Sequence, residues 1–372
     1  MSRSKANLRI LSTADDDAAV WTELFNQLPP QFQDIHFSVD YGRAYERSYG
    51  QQVLLAAYGD SDSYLLMPFL LRDVGRLPWV SNAAIESPVY DISSLYAFGG
   101  PVARVRDEQA DRRLHADFHQ AFTQYCLSNR IATQFVAFHP LLENHRGLQE
   151  TGLVEVKARK LVVWIDLTAD AANLFRNLPR NHRRSIAKAR RLGVWTGVQP
   201  CDPPAADTFK ELYLAKMQAL AADERWLLPH SYCEDFSQCL GPNRISLFNA
   251  TREGETLASA LTLRSGEIAH HHLIGARGDA LRLCAHHLLL HDLALWAKAQ
   301  GCKQLLLGGG VEPDDGVFRF KARFSSRRSW FFTTNIVHDA SLYRRLCDAR
   351  DSWDPPDAGA QRSHEFFPAY RR

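Results

Sequence analysis

The feature that most constrains this chain is an order of elements that occurs twice. Residues 52–72 read as two apolar strands around a Gly-Asp-Ser turn. Residues 245–275 read as three, with turns at Glu253-Gly254 and Ser265-Gly266. After the first block comes a helical stretch over 112–130 and then the apolar strand IATQFVAFHP. After the second comes a helix over 284–300, a Gly301 stop and the strand CKQLLLGGG. Identity between the halves is low, so the repeat lies in the pattern: hairpin, helix, buried strand. A continuous apolar strand after a crossover helix needs cover on both faces. The expectation is an α/β protein of two similar domains, each a mixed, mostly antiparallel sheet flanked by helices.

At 372 residues, with 45% hydrophobic and 23% charged residues, the chain has material for two cores. The boundary falls near 158, giving domains 1–158 and 159–350. The segment 351–372, rich in Asp, Pro and Arg, reads as a loosely ordered tail. The net charge of +2 leaves polyanion binding to local patches. The first residues carry no apolar core of about 7–15 residues, as a signal peptide would, and no run of about 18 apolar residues spans a membrane. Seven scattered cysteines without CxxC fit reduced thiols and a cytoplasmic protein.

Four segments could carry chemistry. In LLLGGGVEPDDGVFRFKARFS (305–325) an apolar strand runs into Gly308, Gly309 and Gly310, where backbone can approach a ligand. Asp314 and Asp315 follow, then Phe318, Phe320 and Phe324 around a single Lys321. A partly desolvated lysine can stabilise an oxyanion or hold a phosphate. A solvated lysine on a short amphipathic segment is the plain alternative. In the run 176–191, Arg180, Arg184, Lys188 and Arg191 share one helical face beside Arg183 and no acid, which suits an anionic partner. Ile186 and Leu192 equally suit a solvated, packed helix. That helix is expected from about Asn181, after one capped by Thr168 and broken by Pro179.

Histidines form the third group. His270, His271 and His272 alternate faces on a strand and cannot share one metal. His287 and His291 are i, i+4 on a helix, but there is no HExxH and no third ligand, so no metal is expected. His271 is a candidate proton carrier or cleft-lining residue. The fourth group, SPVYDISSLYAFGGP (87–101), presents Tyr90, Tyr96 and Phe98 beside a Gly-Gly-Pro turn, as an aromatic loop over a cleft or as a buried loop.

These segments, in this order over about residues 35–335, resemble the FemAB-like branch of the GNAT acyltransferase superfamily. YDISSLYAFGGP is similar to that family's acidic aromatic Gly-Pro loop. RNHRRSIAKARRLGV resembles its basic helix, and the strand block 245–276 its central strands. The 305–325 stretch resembles its Gly-Gly…Phe-Lys-x-x-Phe signature. The resemblance implies tandem GNAT-like domains with a cleft between them, and N-acyl transfer in cell-wall or natural-product biosynthesis. It implies catalytic roles for Lys321 (oxyanion), Phe320 and Asp91. It implies substrate binding by Arg183, Arg184 and Lys188, to which the reading of the residues themselves adds Arg180, Tyr96, Gly309, Gly310 and His271 as candidates. Ser325 replaces the family's glycine after the signature, and Leu95-Tyr96-Ala97-Phe98 replaces Tyr-Gly-Tyr.

The turn GARGDALRLCAHH lacks the paired glycines with which GNAT acetyltransferases cradle the coenzyme A pyrophosphate. That favours an aminoacyl-tRNA donor as co-substrate, with acyl-CoA the alternative, and no bound cofactor. The acceptor is an amine on a small or nucleotide-linked molecule. A non-catalytic GNAT-like binding module, with binding through Arg183 and Arg184 but no transfer, is the remaining alternative.

Overall fold

The computed structural model describes residues 7–80, 85, 88–354 and 366–372. Its strands are β1 (Asn7–Leu11), β2 (Gln52–Gly59), β3 (Tyr64–Asp73), β4 (Tyr90–Ser93), β5 (Val102–Arg104), β6 (Ile131–Ala137) and β7 (Lys157–Asp166). They continue with β8 (Trp195–Gln199), β9 (Ile245–Arg252), β10 (Glu255–Ser265), β11 (Ile268–Ala276), β12 (Gln304–Gly308) and β13 (Arg328–Val337). All belong to one sheet, ordered β1-β2-β3-β4-β6-β13-β7-β12-β11-β10-β9-β8, with β5 paired to β3.

The expected hairpins form at β2–β3 and β9–β10–β11 because largely buried, mostly apolar runs meet turns that tolerate positive φ. Glu253 and Gly254 sit at φ 53° and 83°. The helix Glu108–Ser128 links β4 to β6, and Ala285–Ala299 links β11 to β12. Those two strand pairs are parallel. Among the described residues every other ladder is antiparallel, so the pattern repeat is a structural repeat.

The halves are joined in two ways. β13 inserts between β6 and β7, antiparallel to both. One apolar core also crosses the junction: Trp21, Ile35, Phe37 and Tyr41 pack in the same cluster as Phe209, Tyr213, Tyr232 and Phe236. The C-terminal part of the expected second domain packs on the first half. Leu342 and Leu346, on the helix Ala340–Trp353, share a cluster with Val74, Trp79, Val89 and Ala132. Residues 366–372 also depart from the expected loose tail. Tyr370 is fully buried, and its hydroxyl donates to Asp91 at 2.9 Å. Residues 355–365 lie outside the described residues.

Local expectations were adjusted in two places. The helix Ala171–Arg176 is capped by Asp170, which accepts from the Asn173 N–H, whereas Thr168 bonds back to Asp166. The basic helix begins at Arg180, directly after Pro179.

Candidate active site

β12 ends at Gly308, whose φ of 76° is the one left-handed glycine of the three. The chain then turns through Gly309 and Gly310 to Asp315, the cap of the helix Gly316–Ala322. Asp315 accepts from the Phe318 N–H at 2.7 Å and from the Val311 N–H at 2.7 Å, tying the loop to the helix start. Glycine at 310 makes room for this cap, since a Cβ there would lie 2.0 Å from the Asp315 carboxylate. The short helix then aims Lys321 back at the loop, with Nζ donating to the Gly309 carbonyl at 2.9 Å. Lys160, on β7, donates to the Gly310 carbonyl at 2.7 Å.

In a trans peptide the N–H of Gly310 points opposite the carbonyl of Gly309. The N–H at 310 therefore faces away from Lys321 and does not share an oxyanion with it.

Lys321 sits among other cations. Burial, then the charges of Lys216 and Lys160, push its ammonium down to about 8, partly opposed by Asp315. Lys216, on the helix Pro203–Ala219, donates to the Ile274 carbonyl and is also lowered by burial. His271, on β11, joins the same group: burial, then the charges of Lys321 and Lys216, hold it neutral. Its Nε2 is buried and has no protein partner. His286 is pushed down to about 4 by burial and by Lys216. The result is a cluster of three ammonium groups and two neutral imidazoles around Lys321. It can stabilise developing negative charge and accept a proton. Lys160 and Lys216 had no sequence signal, because each is a single lysine on an ordinary strand or helix.

The other expected residues fall in different places. Phe320 packs on His287 (5.0 Å between ring centroids), Phe324 (5.4 Å) and His182 (5.7 Å), so it fastens the signature helix to the basic helix. Arg180, Arg184 and Lys188 are exposed on that basic helix, while Arg183 is partly buried with an unpartnered Nε. Asp91 is fully buried and held by Arg72 at 2.6 Å, Arg371 at 2.5 Å and Tyr370 at 2.9 Å. It lies on β4, four strand spacings from β12, about 19 Å across the sheet. Its expected catalytic place is thus taken by a structural tie to the C-terminal residues.

Tyr96 meets His272 edge to face at 5.4 Å, and its carbonyl accepts from the Tyr41 hydroxyl. These residues border a second cluster, where the Asp34 carboxylate meets His36, His139 and His270. Of these four the sequence reading had singled out His270 alone.

Comparison with known proteins agrees with this layout. A family model, the Acetyltransferase (GNAT) domain, matches residues 176–322, which hold the basic helix, the strand block and the signature through Lys321. The crystal structure of FemX superposes with a TM-score of 0.65 at 12% identity, covering 88% of this chain and 97% of that one. The C-terminal domain (DUF2156) of a "Putative Lysylphosphatidylglycerol Synthetase" from Agrobacterium fabrum superposes with a TM-score of 0.54 at 14% identity, covering 88% and 93%. No curated protein matches the sequence. No helix among the described residues is long and apolar enough to cross a membrane. Residues 176–322 thus match the Acetyltransferase (GNAT) domain, and the chain as a whole has the fold found in FemX.

Proposed function

We propose that the chain is an aminoacyltransferase that moves an activated aminoacyl group from aminoacyl-tRNA to an amine acceptor, with Lys321 stabilising the oxyanion. The acceptor nitrogen attacks the ester carbonyl carbon, and the C=O electrons move onto oxygen beside the Lys321 ammonium. Collapse expels the ribose oxygen. The proton lost by the new amide nitrogen passes to that leaving oxygen, with His271 Nε2 a neutral carrier. The observation that carries the reading is the half-buried Lys321 beside the Gly309 turn, pushed down to about 8 and still a cation at neutral pH. A preorganised donor of this kind is worth about 3–4 kcal/mol in a transition state. The exposed face of Arg180, Arg184 and Lys188 suits the phosphates of the donor or acceptor.

An acyl-CoA donor has separate support. The helix Ala285–Ala299 starts after Cys284, which sits at φ 57° and supplies no side-chain cap, so no side chain competes with an anion at its start, although the His287 N–H already bonds the Cys284 carbonyl. The matching family model is also an acetyltransferase domain.

The deciding experiment offers charged tRNA pools and acyl-CoA pools separately, each with a panel of amines, and reads products by mass spectrometry. Transfer from tRNA that disappears in Lys321→Ala is expected. Transfer from acyl-CoA alone would replace the donor, and turnover unchanged in Lys321→Ala would overturn the mechanism.

A further inference from the structure

The second cluster is built from both halves of the chain. Asp34 caps the turn Ile35–Phe37, and its Oδ1 lies 2.6 Å from His36 Nδ1. Oδ2 lies 2.6 Å from His270 Nε2 and 3.6 Å from His139 Nε2. Asp34 and His36 come from the first half, His139 from the end of β6, and His270 from β11 across the junction. One donor atom from each of the four lies within 4.8 Å of the other three, and all four residues are buried. The Nε2 atom of His139, which faces Asp34, is buried without a hydrogen-bond partner. The only ion-pair partners of Asp34 among the described residues are these histidines. A carboxylate taken out of water without a permanent cation is costly, and imidazoles left unpaired add to that cost.

A pocket lined by Gln31, Phe32, Leu141, Glu143, Glu267 and Ile268 touches the segments that carry all four residues. Two carboxylates stand at its wall.

We propose that Asp34, His36, His139 and His270 bind one divalent first-row transition ion, Zn2+ being the best match, which clamps the two halves of the chain together. Three imidazoles and one carboxylate are a borderline donor set that suits zinc better than calcium or magnesium. Four protein ligands leave no open position, so the site is structural. Zinc sits about 2.0–2.2 Å from such ligands, so a tetrahedral set has donors about 3.4 Å apart. Closing on the ion takes shifts on the order of 1 Å. Each ring then carries its proton on the far nitrogen. For His139 that gives up the contact from the Leu141 N–H at 3.2 Å. The histidine spacing along the chain, which points to no metal, misses this set because its members come from three segments far apart in sequence, around 34–36, 139 and 270.

The test uses tag-free protein stripped with a chelator. Co2+ is titrated by visible absorption, Zn2+ by competition with a chromophoric chelator, and bound metal is counted by mass spectrometry. One equivalent with submicromolar affinity, the bands of a tetrahedral nitrogen–oxygen site and release of protons are expected. His36→Gln, His139→Gln and His270→Gln should each weaken binding by more than the ~10–100-fold that follows loss of an outer-shell partner. His115→Gln, a buried histidine paired with Asp111, should change nothing. Failure of the wild-type protein to take up either ion would overturn the proposal, whatever the variants do. So would thiolate charge-transfer bands, or undiminished binding in any of the three variants.

Discussion

Replacing Lys321 by methionine should make the protein more stable and nearly inactive. The drop of the Lys321 ammonium from 10.5 to about 8 corresponds to about 3 kcal/mol of native stability forgone at neutral pH. Methionine fills nearly the same volume without a charge to bury. It loses the bond to the Gly309 carbonyl, and an unsatisfied carbonyl costs about 1–2 kcal/mol. The net gain is about 1–2 kcal/mol, or roughly 2 °C in Tm for a chain of this length at ~2.1 cal/mol/K per residue. The sign with pH follows from linkage. Below about 8 both folded and unfolded chains hold the proton, and the penalty is fully present. Between about 8 and 10.5 only the unfolded chain holds it, so wild-type stability rises relative to the variant. Paired urea melts at pH 7, 8, 9 and 10 should show the variant's advantage shrinking as pH rises. Activity should fall by about 100- to 1,000-fold. A variant that is less stable by a constant amount at every pH would refute the claim that Lys321 is a desolvated cation.

Four further outcomes follow from the same geometry. If the Lys321 ammonium stabilises an oxyanion, kcat for a pre-activated donor should decline as pH rises through about 8, and a rate that climbs there would recast it as a base. Asp91→Asn leaves Arg72 and Arg371 facing a neutral amide and should cost about 3–5 kcal/mol by denaturant melts, with proteolysis near residue 370 accelerated. Gly310→Ala drives a methyl into the Asp315 carboxylate, so it should remove about 1 kcal/mol of capping and misplace Lys321, read as lower kcat with a small change in Tm. If charged tRNA is the donor, Arg180→Ala, Arg184→Ala and Lys188→Ala together should lower the slope of log K against log salt by about 2–3, and an unchanged slope would remove the basic helix from tRNA binding.

What could be read from the sequence was local. Each hairpin pairs mostly apolar, buried runs with a turn that tolerates positive φ, and Gly301 at φ 84° ends its helix as a glycine there should. The glycine run before Lys321 stood out because three glycines after an apolar strand are costly unless the backbone has a use for them. The strand order was not legible. Nothing in the periodicity of Arg328–Val337 says that it slips between β6 and β7, because its alternation is satisfied by any neighbour. The tail was misjudged because composition averages over residues. One aromatic side chain, Tyr370, with Arg371 beside it, outweighs the polar character of the segment by meeting the buried Asp91.

The same reason governs the site. A lysine in a sequence is a solvated cation until its surroundings say otherwise, and those surroundings here come from β7, β11 and three helices. Lys321 was found because the residues next to it are unusual. Lys160 and Lys216 were not, although their charges help bring Lys321 to about 8. Single substitutions of either lysine therefore test the cluster as a unit. Lys216→Met should raise the Lys321 pKa and move the alkaline limb of the rate profile upward without touching the reacting atoms. A limb that stayed in place would mean that the Lys216 charge plays no part in setting the value.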